Sequence, residues 1–228
     1  MLSNEVIFFA QASLIIILGI TFASRSIAWL TAWLSTLSII MNVFVLKQII
    51  LYGLEVTSAD VYLIGMLSSL NYSRELYGRN KVNEAMFGSW IITVAFLIIT
   101  QLHLALIPSS NDVSQPHFIA LFSPTLRLII ASLITLICVQ TIDLVIFTYL
   151  KKLFHNKAFG TRSALSLILS QILDTLLFSF LGLYGLVANL AHVMLFAFIT
   201  KMFIIILSIP MVSLGKFLKT KIKLNHIP

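Results

Sequence analysis

Apolar residues fall in seven long runs, at roughly 5–23, 27–51, 57–77, 84–108, 119–150, 163–186 and 190–214, with short polar connections between them. A bilayer core takes ~20 apolar residues per helix, and every run is close to that or longer. The pattern predicts an all-α, polytopic membrane helix bundle of about seven transmembrane helices, with residues 1–228 forming a single transmembrane domain. The fifth run would be ~48 Å long as one helix, so it has to tilt or project from the membrane. Gly78–Arg79–Asn80–Lys81 predicts a tight turn after the third run. Pro108 closes the fourth run, Pro124 sits in the first turns of the fifth, and Pro210 predicts a kink late in the seventh. The first run has no basic leader before it and no small-residue cleavage site after it, and reads as a retained helix.

Cations are distributed one-sidedly. Arg25; Arg74, Arg79 and Lys81; Lys151, Lys152, Lys157 and Arg162; and Lys216, Lys219, Lys221 and Lys223 fall on alternate connections and the tail. The remaining connections carry none, only Glu5, Glu55, Asp60 and Asp112 nearby. By the positive-inside rule the N-terminus is outside and the C-terminus cytosolic. Lys47, Arg127 and Lys201 are the exceptions, placed inside apolar runs. Lys47 reads as an anchor snorkelling to the interface, and Asn42 as interhelical glue.

Composition narrows the picture. Hydrophobic residues are 59% of the chain and charged residues 10%, which excludes a soluble or a disordered domain. The net charge of +7 is accounted for by the basic connections, which face anionic lipid headgroups rather than nucleic acid. The single cysteine, Cys138, is a packing residue mid-helix. The histidines have no metal-ligand spacing, so no metal, cofactor or enzymatic site is expected.

The candidate chemistry lies in polar residues inside the runs. Gln140, Asp143 and Phe147 are echoed by Gln171, Asp174 and Phe178, both reading Q-x-x-D-x-x-x-F. The i, i+3 spacing places amide and carboxylate on one helix face. The fifth and sixth runs, joined by a short connection, predict an antiparallel hairpin. Asp174 and Lys201 fall at matching depth, ~18–20 Å from the cytosolic boundary. They are either a buried ion pair that fixes packing or part of a site for a small, flat, hydrogen-bonding solute. In the second reading Asp143 and Asp174 accept from paired donors of a guanine-like edge, and Gln140 and Gln171 complete it. Lys201 and Arg127 then meet its carbonyl, and Phe178 stacks on the ring. Asn71, Ser73, Arg74 and Glu75 either line an exit path or form an interfacial cluster.

The order N-x-x-x-x-K (Asn42, Lys47), N-Y-S-R-E-L-Y-G (71–78), R-x-x-x-A-S (Arg127 to Ser132), Q-x-x-D (140–143), R-S-A-L-S-L-I-L-S-Q-I-L-D-T (162–175), Lys201 and Pro210 resembles the bacterial queuosine precursor transporters, earlier labelled vitamin uptake transporters. The resemblance spans roughly residues 40–210. It implies uptake of queuine or another 7-deazaguanine base across the bacterial inner membrane for tRNA modification. It also implies a compact fold akin to the substrate-binding components of energy-coupling-factor transporters, working without their ATPase. The family commonly has Asp at the position of Asn71, while Glu75, Tyr77 and Gly78 fit its pattern. Expected partners are the small-molecule base and membrane lipids, with no direct nucleic-acid contact; homo-oligomerisation is left open. Two rivals stand beside this reading. One is a vitamin-binding subunit that needs a separate ATPase module. The other is a membrane-embedded lipid enzyme, which would need clustered acidic metal ligands that this chain lacks.

Overall fold

The structure is a computed structural model that describes residues 3–45, 47–122, 126–185 and 190–224. The elements run α1 (Asn4–Arg25), α2 (Ile27–Phe44), β1 (Gln48–Leu51), β2 (Leu54–Thr57), α3 (Asp60–Tyr77), α4 (Arg79–Leu104), α5 (Gln115–Phe122), α6 (Leu126–Leu153), α7 (Phe159–Phe178) and α8 (Leu190–Leu224). A π-helical turn, Ser179–Leu183, extends α7. Among the described residues, α1, α2, α4, α6, α7 with its π turn, and α8 are long and apolar enough to cross a membrane. The bundle is thus all-α and polytopic, with one small β-hairpin at an end.

Two of the runs divide differently from the sequence expectation. The second helix stops at Phe44, and residues 48–51 pair antiparallel with 54–57. Tyr52 and Gly53 make the two-residue turn with φ of 50° and 80°, the left-handed pair that matches hairpin twist. The single long helix expected over 119–150 is instead α5 and α6, 8 and 28 residues long, separated by residues outside the described set that include Pro124. Gln101 Nε2 donates to the Phe122 carbonyl at the end of α5. Pro210 does not interrupt α8, which is helical through it.

Local chemistry sets the other boundaries. Ser3 and Ser26 cap α1 and α2, each accepting from a backbone N–H three residues on. Gly78, at φ 77°, ends α3 and starts α4 in a backbone conformation that side chains other than glycine resist.

The organising element is α3. It is the least apolar of the long helices, yet every residue from Asp60 to Arg74 is buried. It touches α1, α2, α4, α6, α7 and α8. The large apolar side chains exposed on the other helices, such as Leu14, Ile91, Ile98, Ile99 and Ile206, face outward where a bilayer is the solvent. A helix enclosed by other helices has no such requirement. α1 lies close against α3 because Gly19 and Gly65 are small: a Cβ at either would collide with Ser69 or Ile15.

The chain directions collect the basic residues at one end. α1 starts at the hairpin, where Asn4 donates to the Ile50 carbonyl at 3.1 Å and Glu5 accepts from the Tyr52 N–H at 3.0 Å. It therefore ends, at Arg25, on the opposite side. Lys151, Arg162 and Lys216 meet Glu75 on that side too, one turn before Arg79 and Lys81. Lys47 belongs to the hairpin end, where it is exposed.

Candidate functional site

Three ionic groups are strung along α3, each completed by other helices. At its first residue, Asp60 faces Lys201 of α8 at 3.6 Å. The Lys201 ammonium also lies 2.5 Å from Asp174 of α7 and donates to Thr175 Oγ1 at 3.2 Å. This is the pairing that charge and depth required of Asp174 and Lys201. Asp60, classed by the sequence reading with the external acids, makes the pair a triad.

About 21 Å further along α3, fourteen residues at helical rise, the Arg74 guanidinium meets Asp143 of α6 at 2.6 Å. Arg74 also donates to Asn71 Oδ1 at 2.7 Å. Asp143 is fully buried, and its other oxygen accepts from Ser166 at 2.6 Å and Ser170 at 2.9 Å, both on α7. Asn71 in turn donates to Ser163 of the same helix at 3.5 Å.

The next residue, Glu75, forms the third group. Its carboxylate receives Arg162 at 2.7 Å, Lys216 at 3.2 Å and Lys151 at 3.5 Å, from α7, α8 and α6. The Phe147 ring lies between the second and third groups, with the Arg74 and Arg162 guanidinium carbons 5.9 and 5.3 Å from its centroid. Both distances allow cation–π attraction.

Among the described residues the buried cations are therefore Arg74, Arg162 and Lys201, all nearly or wholly inaccessible. Neither Arg74 nor Arg162 behaves as a loop or interfacial cation. Conversely, Arg127 is exposed and does not join the acids; its Nε donates to the Leu181 carbonyl at 2.8 Å. That bond tends a carbonyl in the π turn, where i to i+4 pairing is interrupted.

The two Q-x-x-D faces are placed in different groups. Gln140 accepts from Trp90 Nε1 and its amine points to Met66 Sδ, so its amide is occupied. Asp143 is likewise occupied by three protein donors. Gln171 is the opposite case: it is 0% exposed, and neither its Nε2 nor its Oε1 has a protein partner. Ser68 Oγ, Thr135 Oγ1 and Asp60 Oδ2 are also buried without one. Several other buried hydroxyls donate to their own helix backbone, as Ser69, Ser73 and Thr93 do. Unpaired buried polar atoms are few in native proteins and mark places where another group is bound or needed. Phe178, half-buried, stands one turn beyond Asp174 and packs toward Gly182. Asn42 fulfils its expected role, accepting from Ser132 across α2 and α6 at 2.8 Å.

Sequence reasoning missed Asp60 and the serine face of α7. Ser163, Ser166 and Ser170 recur at steps of three and four, a helical stripe that was legible as a polar face toward a neighbour. Asp60 had a weaker signal, its position within the third run. A cleft of 270 Å³ at the hairpin end is lined by Phe8, Phe9, Tyr52, Thr200 and Phe203 among others, but by none of the triad's side chains.

With this geometry in hand, comparison with known proteins gives one family. The model described as "Putative vitamin uptake transporter" matches residues 61–215, from the second residue of α3 to near the end of α8. The chain belongs to this family. It is also similar to a protein of Bacillus subtilis (strain 168) named "Probable queuosine precursor transporter", 26% identical over 208 residues and covering 90% of each chain. No solved structure matches the chain. The matched region contains Arg74, Asp143, Asp174 and Lys201, with Asp60 just before it.

The Arg74–Asp143 pair generates a stability prediction. Breaking a buried pair by removing one partner costs ~3–5 kcal/mol, whereas replacing both with apolar residues is often neutral. Arg74→Met alone should therefore lower the melting temperature of the purified protein in detergent sharply. The double variant Arg74→Met, Asp143→Leu should recover most of the loss. A double variant no better than the single one would contradict the pairing.

Proposed function

We propose that this protein is a bacterial inner-membrane transporter that imports a queuosine precursor, queuine or another 7-deazaguanine base, and that the base binds at the hairpin end of α3. The observation that carries this reading is the unpaired Gln171 amide, wholly buried one turn from the Asp174–Lys201 pair. An amide offers a donor and acceptors, a carboxylate accepts adjacent donors, and an ammonium donates. The edge of a 7-deazaguanine carries the complement: a ring N–H and an exocyclic amine beside a carbonyl oxygen. Asp174 takes the donors, Lys201 the carbonyl, and Gln171 the remaining ring positions. Phe178 supplies an aromatic face one turn away. The name of the Bacillus subtilis relative supports the choice of solute.

Asp143 and Gln140 have a different part in this account. Their polar atoms are engaged by Arg74, Ser166, Ser170, Trp90 and Met66. They hold α3, α4, α6 and α7 together beneath the site. Glu75 and Asn71 lie on the path from the site to the basic end, and the three cations on Glu75 close that end. Exit of the base requires the Glu75 contacts to separate. The reading as a vitamin-binding subunit differs in needing an ATPase partner; uptake in cells lacking any energising module distinguishes the two.

The orientation places the basic end in the cytosol, with the hairpin and the 105–114 loop outside. Cysteine introduced at position 112 should react with an impermeant external thiol reagent, and cysteine at 157 should not. The reverse pattern would invert the direction of the site.

Function is tested by the queuosine content of tRNA in a strain without its own precursor synthesis or transporter, expressing each variant at matched membrane levels. Asp174→Asn should abolish rescue, because an amide presents a donor to a donor. Gln171→Leu should also impair rescue while leaving the melting temperature unchanged or raised, since no protein hydrogen bond is lost. Lys47→Ala should rescue like the parent. Full rescue by both Asp174→Asn and Gln171→Leu would place the base elsewhere.

A further inference from the structure

The hairpin-end triad is not neutral. Lys201 is its single cation, and it faces two carboxylates, Asp174 at 2.5 Å and Asp60 at 3.6 Å. Among the described residues no second cation pairs with either acid. The triad thus carries one uncompensated negative charge in a buried setting, with Asp60 6%, Asp174 9% and Lys201 4% exposed. An unbalanced charge at such a place is expensive.

Two features set Asp60 apart within the triad. Asp60 is the first residue of α3, where the helix dipole favours an ionised carboxylate. Its Oδ1 faces Lys201, while its Oδ2 is buried and has no hydrogen-bond partner. The free oxygen and the surplus charge coincide. A cation with N–H donors completes both requirements. The Arg74–Asp143 pair, by contrast, is balanced and has its carboxylate fully engaged.

Resting on the transport reading above, we infer that Asp60 is a specificity-determining residue whose Oδ2 receives a protonated amine on the 7-substituent of the base. The favoured solutes are therefore 7-deazaguanines that bear an alkylammonium group, over those with a neutral substituent. The division of labour follows from the geometry. Asp174, Lys201 and Gln171 read the guanine edge common to all such bases, and Asp60 reads the charge that distinguishes among them. A charge-assisted hydrogen bond to a buried carboxylate is roughly twice as strong as a neutral one. Its loss corresponds to a preference of about tenfold or more.

The test is equilibrium binding to the purified full-length protein in lipid nanodiscs. Radiolabelled 7-aminomethyl-7-deazaguanine is competed with unlabelled 7-aminomethyl-, 7-cyano- and 7-methyl-7-deazaguanine. The wild-type protein should hold the aminomethyl base at least about tenfold more tightly than either neutral base. Asp60→Asn should bring the affinity ratio close to one, and Asp60→Glu, which keeps the charge, should retain the preference. Equal affinities for the three bases in the wild type would overturn the inference while leaving the transport reading intact, as would an Asp60→Asn protein with an unchanged ratio. If Asp60→Asn does not fold, the wild-type ratio and Asp60→Glu decide the matter. Binding of none of the bases would instead overturn the proposed function, and this inference with it.

Discussion

Asp60, Arg74 and Glu75 ride on a helix enclosed on every side, so each has to find its counter-charge on a neighbouring helix. Charges within a membrane bundle are costly when unpaired, and that cost fixes where α6, α7 and α8 can sit around α3. Asp143 must reach Arg74, Lys201 must reach Asp60 while holding Asp174, and Arg162, Lys151 and Lys216 must converge on Glu75. Lipid tails supply no hydrophobic force between helices, so polar contacts and close packing carry the specificity of assembly. The lipid-facing helices can then be almost wholly apolar, because the enclosed helix concentrates the polarity.

The three groups differ in charge balance and in how completely their polar atoms are paired. In the Arg74 group the carboxylate is saturated: Asp143 has three protein donors, and the guanidinium donates to Asn71 and lies by the Phe147 ring, with its Nε buried and unpaired. Asn71 is uncharged, which leaves Arg74 and Asp143 as a balanced pair. The Glu75 group has more cation than anion and lies at the basic end. The Asp60 group has more anion than cation and a free carboxylate oxygen, with the Gln171 amide nearby in the same bundle region also unpaired. Along one helix the chain presents an anion-rich group at the hairpin end, a balanced pair and a cation-rich group at the basic end.

Much of this was legible in the residues, and the failures have physical causes. The runs of apolar positions located every long helix, and alternate basic connections foretold one basic end. Asp174 and Lys201 paired as their depth and sign required. Hydropathy along the chain, however, reports how apolar a run is and not what surrounds it. Arg74 and Arg162 look like interfacial cations because they border runs, yet burial by neighbouring helices takes them into the core. Arg127 looks like a membrane-embedded charge because its run is apolar, yet it lies on an exposed face and binds a backbone carbonyl. The Q-x-x-D echo is a repeat of spacing only. Phe147 lies between two guanidiniums, whereas Phe178 packs toward Gly182; one amide is occupied and the other unpaired. The first strand of the hairpin, 48–51, was absorbed into the second apolar run because Ile49, Ile50 and Leu51 are aliphatic, whereas 52–56 read as a connection.

We propose that a 7-deazaguanine base is held at the hairpin end of α3, between α3, α7 and α8. An experimental structure of the protein with a 7-deazaguanine bound tests it most directly. Ligand density is expected in contact with Asp174, Gln171 and Lys201, with the Arg74–Asp143 pair intact beneath it. Density for the base elsewhere, with Gln171 still unpaired and the Asp174–Lys201 pair untouched, would contradict it.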